Sequence, residues 1–168
     1  WSESRGLGDV YKRQSLIIVG SGAIGMEFAS FYNDLGVDVT IVEALPSILP
    51  NEDTDISKIV KLNFEKRGIK IRTNSALKSV SSKENSVLAE IITNKKVETI
   101  NSEKLILAIG IIANTEKLGL KDFNVKIDKG HVVTNEFLET DEKGVYAIGD
   151  ITDGPWFCLL YTSPSPRD

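Results

Sequence analysis

The chain has 168 residues, the length of one ordinary domain, and its 41% hydrophobic and 26% charged side chains give a globular balance. A formal charge of -4 offers no electrostatic support for nucleic-acid binding, and no apolar run approaches the ~20 residues of a membrane helix. With one cysteine, Cys158, and one histidine, His131, a disulfide scaffold and a zinc site are both excluded.

The two ends read unlike the middle. The peptide from Ser4 to Gln14 and the peptide from Cys158 to Arg167 can be written as opposite strands of one DNA oligonucleotide. That DNA resembles the adaptor of transposase-based sequencing libraries. Residues 1–14 and 158–168 are therefore expected to be non-native, with 15–157 an interior segment of a longer protein.

From residue 15, Leu16-Ile17-Ile18-Val19 is a continuous apolar run ending at Gly20, the pattern of a parallel strand buried by helices on both faces. Ile24, Phe28, Phe31 and Leu35 then recur at helical spacing, and Gly36 stands where a helix would stop. The β-branched segment 37–43 closes a βαβ unit. After a proline-containing loop at 45–50, Asp53 or Thr54 offers an N-cap for a second helix. Ile56, Ile59, Val60 and Phe64 mark its expected buried stripe, Gly68 its end, and Ile69-Lys70-Ile71 the next strand.

Residues 76–101 lose helical period. Leu77, Val80, Val87, Ala89, Ile91, Val97 and Ile100 alternate with polar residues, and Asn85-Ser86 and Asn94-Lys95 look like turns, so an antiparallel meander is expected. Residues 104–110 read as another buried strand, and 144–150 as a last strand and turn. His131, after Lys129-Gly130, reads as an exposed turn residue.

The chemistry lies in Gly20-Ser21-Gly22-Ala23-Ile24-Gly25, a G-x-G-x-x-G motif between an expected strand and an expected helix. Gly20 would permit the tight turn, and Gly22 would let the backbone approach a pyrophosphate. Gly25 would let helix and strand pack closely, with the phosphates at the helix N-terminus. Glu43 ends the second strand, where a carboxylate can accept from the hydroxyls of an adenosine ribose. Such charge-assisted bonds contribute about 1.5–3 kcal/mol. The same charge would repel a 2′-phosphate by up to ~4 kcal/mol at ~4 Å and an effective dielectric near ~20. NAD is therefore expected over NADP.

An ordinary dehydrogenase would continue with alternating strands and helices, whereas antiparallel strands intervene here before Leu105-Ile106-Leu107-Ala108-Ile109-Gly110 and Tyr146-Ala147-Ile148-Gly149-Asp150. With Val42-Glu43-Ala44-Leu45 and Phe64-Glu65-Lys66-Arg67-Gly68-Ile69, this order resembles the pyridine nucleotide-disulfide oxidoreductase flavoproteins, most closely their dihydrolipoamide dehydrogenase branch. The resemblance implies an α/β fold. Residues 15–112 would be a Rossmann-like NAD-binding domain with a parallel sheet and an inserted antiparallel β-meander. Residues 113–157 would be a partial return segment of the FAD-binding domain.

By the same resemblance, Gly20, Gly22 and Gly25 hold the NAD pyrophosphate and Glu43 its adenine ribose. Ile24 and Glu27 lie beside the nicotinamide, Gly110 closes over the nucleotide, and Asp150 after Gly149 bonds the ribityl chain of FAD. The family often carries Arg-x-Pro-Asn after the second glycine, where this chain has Ile111-Ile112-Ala113-Asn114. The redox disulfide and the general base would lie outside the segment, so no catalytic residue is assigned within it. The intact protein would pass electrons from dihydrolipoamide through FAD to NAD⁺. It would pair as a homodimer and serve lipoyl domains of 2-oxoacid dehydrogenase complexes, in the bacterial cytoplasm or the mitochondrial matrix. Glutathione-reductase-like, mercuric-reductase-like and soluble transhydrogenase readings stay open, as does a stand-alone NAD-binding module.

Overall fold

A computed structural model describes residues 15–153, which fall into two compact units dividing between Gly110 and Ile111. The first unit opens with β1 (Ser15–Val19), α1 (Ala23–Asp34) and β2 (Asp38–Val42), followed by α2 (Thr54–Lys66) and β3 (Lys70–Arg72). An antiparallel run follows as β4 (Ser75–Lys83), β5 (Ser86–Thr93) and β6 (Lys96–Ser102). The chain then returns as β7 (Lys104–Leu107). Strands β3, β2, β1 and β7 form a parallel sheet in that order, and β4–β5–β6 form a separate three-stranded sheet.

The central place of β1 explains its apolar run. Leu16 is registered between Val39 and Lys104, and Val19 between Val42 and Leu107. Leu16 and Ile18 face a core that includes Met26 and Ala29 of α1 with Val39, Ile41, Ile48 and Ile69. Ile17 and Val19 face the other way, onto Val42, Ala89 and Ile91. Both faces are thus covered, but helices cover only one. The expectation of helices on both sides is corrected: the second cover is the antiparallel meander. Each fully buried isoleucine here contributes about 1.5–3 kcal/mol of hydrophobic stabilisation.

The helices begin and end where the sequence places them, but each turns only part of its inferred stripe inward. Asp53 caps α2, its side chain accepting from the Asp55 amide at 2.8 Å. Gly36 and Gly68 take positive φ values of 85° and 91° just past the two helices, the left-handed conformation glycine adopts without a Cβ penalty. In α1 the buried residues are Gly25, Met26 and Ala29, while Phe28, Phe31 and Leu35 are exposed. In α2 Ser57 is buried and Val60 and Phe64 pack on the core, whereas Ile56 and Ile59 are exposed. The stripe inferred for each helix is therefore only partly the buried one.

The meander turns at Asn94-Lys95, where both residues have positive φ (51° and 64°), the two-residue turn that matches strand twist. Its other turn is Glu84-Asn85 rather than Asn85-Ser86, since Ser86 already pairs with Lys83. Ala89 and Ile91 of the central strand are sealed, while Val80 and Val97 on the flanking strands stay half exposed.

The second unit is sparse in regular structure: β8 (Ile127–Asp128) pairs with β9 (His131–Val132), and short 3-10 turns lie at Leu120–Asp122 and Gly149–Ile151. The strand expected before Gly149 does not form. Tyr146 makes a single antiparallel bridge to Glu139, and Val132 a single parallel bridge to Thr152. His131 is corrected too. The turn at Lys129-Gly130 is present, but His131 is the first residue of β9 and is buried. Among the described residues no helix is long and apolar enough to cross a membrane. Gly154 to Phe157 and both flanking segments lie outside the described residues.

Candidate functional site

At the carboxyl end of β1 the backbone turns sharply at Gly20, whose φ is 99°. Its amide donates to the Val42 carbonyl at 2.9 Å, and the Ala108 amide donates to the Val19 carbonyl at 2.7 Å. The turn is thus held from both neighbouring strands. A Cβ at Gly20 would run into the Ala108 carbonyl, and one at Gly25 would run into the carbonyl oxygen of Gly20. These two glycines permit packing that no other residue could enter.

Gly22 is of a different kind. Its φ of -68° is ordinary, and a Cβ built there meets nothing within 4 Å. It caps α1 without any side-chain hydrogen bond, and the first intrahelical bond runs from the Met26 amide to the Gly22 carbonyl at 3.0 Å. The amides of Ala23, Ile24 and Gly25 precede that first bond, at the positive end of a twelve-residue helix. Backbone donors, a dipole and an open approach beside a residue without a side chain together suit a pyrophosphate.

Glu43 follows β2 directly and is 8% exposed. Oxygen Oε2 accepts from both the Ser21 amide (2.9 Å) and the Ser21 hydroxyl (2.6 Å), and Oε1 accepts from the Leu45 amide (2.8 Å). A carboxylate offers about four lone-pair directions, so three internal donors leave room for one more, on Oε1. The Glu43 amide donates to the Arg72 carbonyl and its carbonyl accepts from the Ser75 amide, each at 2.8 Å, so the residue is fixed at main chain and side chain alike.

The loop at 45–50 belongs to this site. The Leu49 amide donates to the Ser21 carbonyl at 2.9 Å, the Ser57 hydroxyl donates to the Leu49 carbonyl at 3.3 Å, and Ile48 is buried in the core. The sequence marks 45–50 only as a proline-containing loop and Ser21 only as the residue between two motif glycines. A hydroxyl-bearing residue between two motif glycines was the one available signal. Ile24 is partly buried and Glu27 exposed on α1, and Gly110 has a φ of 131° with open space around its missing side chain. Gly149, with a φ of 77°, and Asp150 lie in the second unit.

The family model for pyridine nucleotide-disulphide oxidoreductases matches residues 2–165. The chain belongs to that family. Curated relatives include the dihydrolipoyl dehydrogenase of Rhizobium etli, 46% identical over 143 residues, which are 84% of this chain and 30% of that protein. The dihydrolipoyl dehydrogenase of Zymomonas mobilis is 41% identical over 96% of this chain and 34% of its own length. Among solved structures, LpdA of Mycobacterium tuberculosis superposes with a TM-score of 0.75 at 31% identity, covering 85% of this chain and 31% of its own. The flavoprotein disulfide reductase RclA of Escherichia coli gives 0.76 at 30% identity, covering 86% of this chain and 33% of its own. The chain therefore spans about a third of the length of the relatives it matches. The pairing of a parallel sheet with an antiparallel meander is the fold of this flavoprotein family.

Proposed function

We propose that the first unit is the NAD-binding part of a flavoprotein disulfide oxidoreductase whose whole protein acts as a dihydrolipoyl dehydrogenase. The observation that carries this is the open N-terminus of α1 at Gly22, set beside the buried carboxylate of Glu43. In this reading Gly20, Gly22 and Gly25 shape the pyrophosphate seat, Glu43 takes a ribose hydroxyl, and Ile24, Glu27 and Gly110 border the nicotinamide end. Gly149 and Asp150 contribute to the FAD domain of the whole protein. NAD, when bound, supplies the hydride acceptor for electrons that reach it through FAD. The residues of this chain orient and select; they do not themselves exchange electrons.

Identities of 41–46% to dihydrolipoyl dehydrogenases support the choice of substrate. A homodimer serving lipoyl domains in the bacterial cytoplasm accompanies that choice. The chain has a single cysteine, so it cannot form a redox disulfide within itself. The test is calorimetric titration of the 168-residue chain with NADH, alongside an assay with dihydrolipoamide and NAD⁺. Saturable NADH binding without turnover is expected. Absence of binding would sink the nucleotide reading, and turnover would show that the chemistry does not need the missing thiol pair.

A further inference from the structure

The three glycines of the motif account for the turn, the phosphate approach and the close packing, yet a fourth residue in it is more heavily bonded than any of them. Ser21 is fully buried. Its amide and hydroxyl converge on one oxygen of Glu43, at 2.9 and 2.6 Å, while its carbonyl accepts from the Leu49 amide at 2.9 Å. The main chain alone would satisfy the turn. The hydroxyl adds a second donor to an oxygen that already has one.

Resting on the nucleotide reading above, we infer that Ser21 is a positioning residue that sets the preference for NAD over NADP by locking the Glu43 carboxylate in place. A glutamate side chain rotates about three bonds, and two donors on Oε2 remove most of that freedom. Locked in this way, Glu43 keeps the free lone pair of Oε1 available to a ribose hydroxyl. The same lock keeps its negative charge where a 2′-phosphate would have to sit. Without the hydroxyl, each carboxylate oxygen retains one backbone donor, from Ser21 and Leu45, and two bonds in place of three hold the carboxylate less tightly on its Oε2 side. Attraction for the ribose and repulsion of the 2′-phosphate then weaken together. A selectivity change follows, beyond a uniform loss of binding.

The experiment measures NADH and NADPH dissociation constants in the 168-residue chain for wild type, Ser21→Ala, Glu43→Gln and the double variant. Ser21→Ala should weaken NADH about tenfold, the low end of what misplacing the charge-assisted bond from a ribose hydroxyl to Glu43 would cost, and leave NADPH unchanged or tighter. In the Glu43→Gln background the same change should leave the NADPH-to-NADH ratio where it is. A purely structural Ser21 lowers both nucleotides alike, so an unchanged ratio in Ser21→Ala overturns the inference. An equal ratio shift in the Glu43→Gln background does the same. Should Ser21→Ala fail to fold by circular dichroism, Ser21→Gly removes the hydroxyl without a buried methyl and carries the same comparison. Wild type that binds both nucleotides equally overturns the inference while leaving nucleotide binding intact. Wild type that binds neither overturns both.

Discussion

Gly25, in the first turn of α1, lies so close to Gly20 at the end of β1 that a methyl group on Gly25 would overlap the Gly20 carbonyl oxygen and come within 3.1 Å of its carbonyl carbon. The obstacle is the Gly20 backbone, with the Ala108 Cβ 3.5 Å away, so no flexible group can yield. Gly25→Ala should therefore cost about 1–3 kcal/mol of stability, the usual range for overpacking, and displace α1 from the sheet. Thermal or urea denaturation would measure it. A loss below about 0.5 kcal/mol would mean that helix and strand can part without penalty.

Gly22→Ala is the contrasting case. The φ of -68° suits alanine, and nothing stands within 4 Å of the new methyl. Stability should change by no more than about 1 kcal/mol, the scale of N-cap preferences. Affinity for NADH should fall sharply, because the methyl enters the space through which a pyrophosphate reaches the helix amides. Unaltered NADH affinity in a folded Gly22→Ala chain would show that the phosphates do not approach there.

Arg67 ties the ends of the two helices together. Its guanidinium donates to Asp34 at 2.8 Å and to the Ser30 hydroxyl and carbonyl at 3.0 and 3.2 Å, and it lies 5.3 Å above the Phe64 ring centroid. The side chain is about one third exposed, so solvent screens the pair. Arg67→Ala should cost about 1 kcal/mol, shrinking in high salt. Arg67→Lys should recover only part of it, since an ammonium cannot reproduce the planar fork. Urea titrations at low and high salt decide the matter, and a lysine variant equal to wild type would count against the fork.

Glu139 and Tyr146 predict a pH window for the second unit. Hydrogen bonds from Asn135 and then from Tyr146 hold the Glu139 carboxyl below its ordinary value. The same bond, with the carboxylate's charge, pushes the Tyr146 phenol up. A depressed carboxyl supports the folded turn above the unfolded value of about 4.3, and that support fades as pH falls through the lower folded value. A raised phenol supports it below about 10, and that support is lost as pH climbs through the higher folded value. The Tyr146 ring signals in NMR should report both limits, and Glu139→Gln should flatten the acid limb. An acid limb unchanged in Glu139→Gln would assign it to another carboxylate.

How much of this the sequence disclosed depended on how each element meets its neighbours. Strand β1 was readable because burial on both faces leaves no polar residue between Leu16 and Val19, though the run could not say that a meander covers one face. Helix α1 is apolar over a wide arc, with Glu27, Ser30 and Asp34 on one side, so periodicity gives its length but favours the large residues as the buried face. Close packing on the sheet instead selects the small ones, Gly25 and Ala29. In α2 a serine on the inner face broke the apolar pattern because its hydroxyl bonds the Leu49 carbonyl. Ser21 was hidden for a similar reason. Its importance lies in a bond to Glu43, 22 residues away, which local pattern does not encode.

The return of β7 to the side of β1 has a consequence for the order in which the chain acquires its structure. The Ser15 hydroxyl accepts from the Glu103 amide across 88 positions of sequence, next to the register that sets Leu16 against Lys104. Closing so distant a contact is entropically slow, whereas the two tight turns of β4–β6 join near neighbours. The meander is thus expected to zip early and draw Lys104 back toward Ser15. The insertion that distinguishes this chain from an ordinary dehydrogenase then acts as a kinetic scaffold for the sheet it covers.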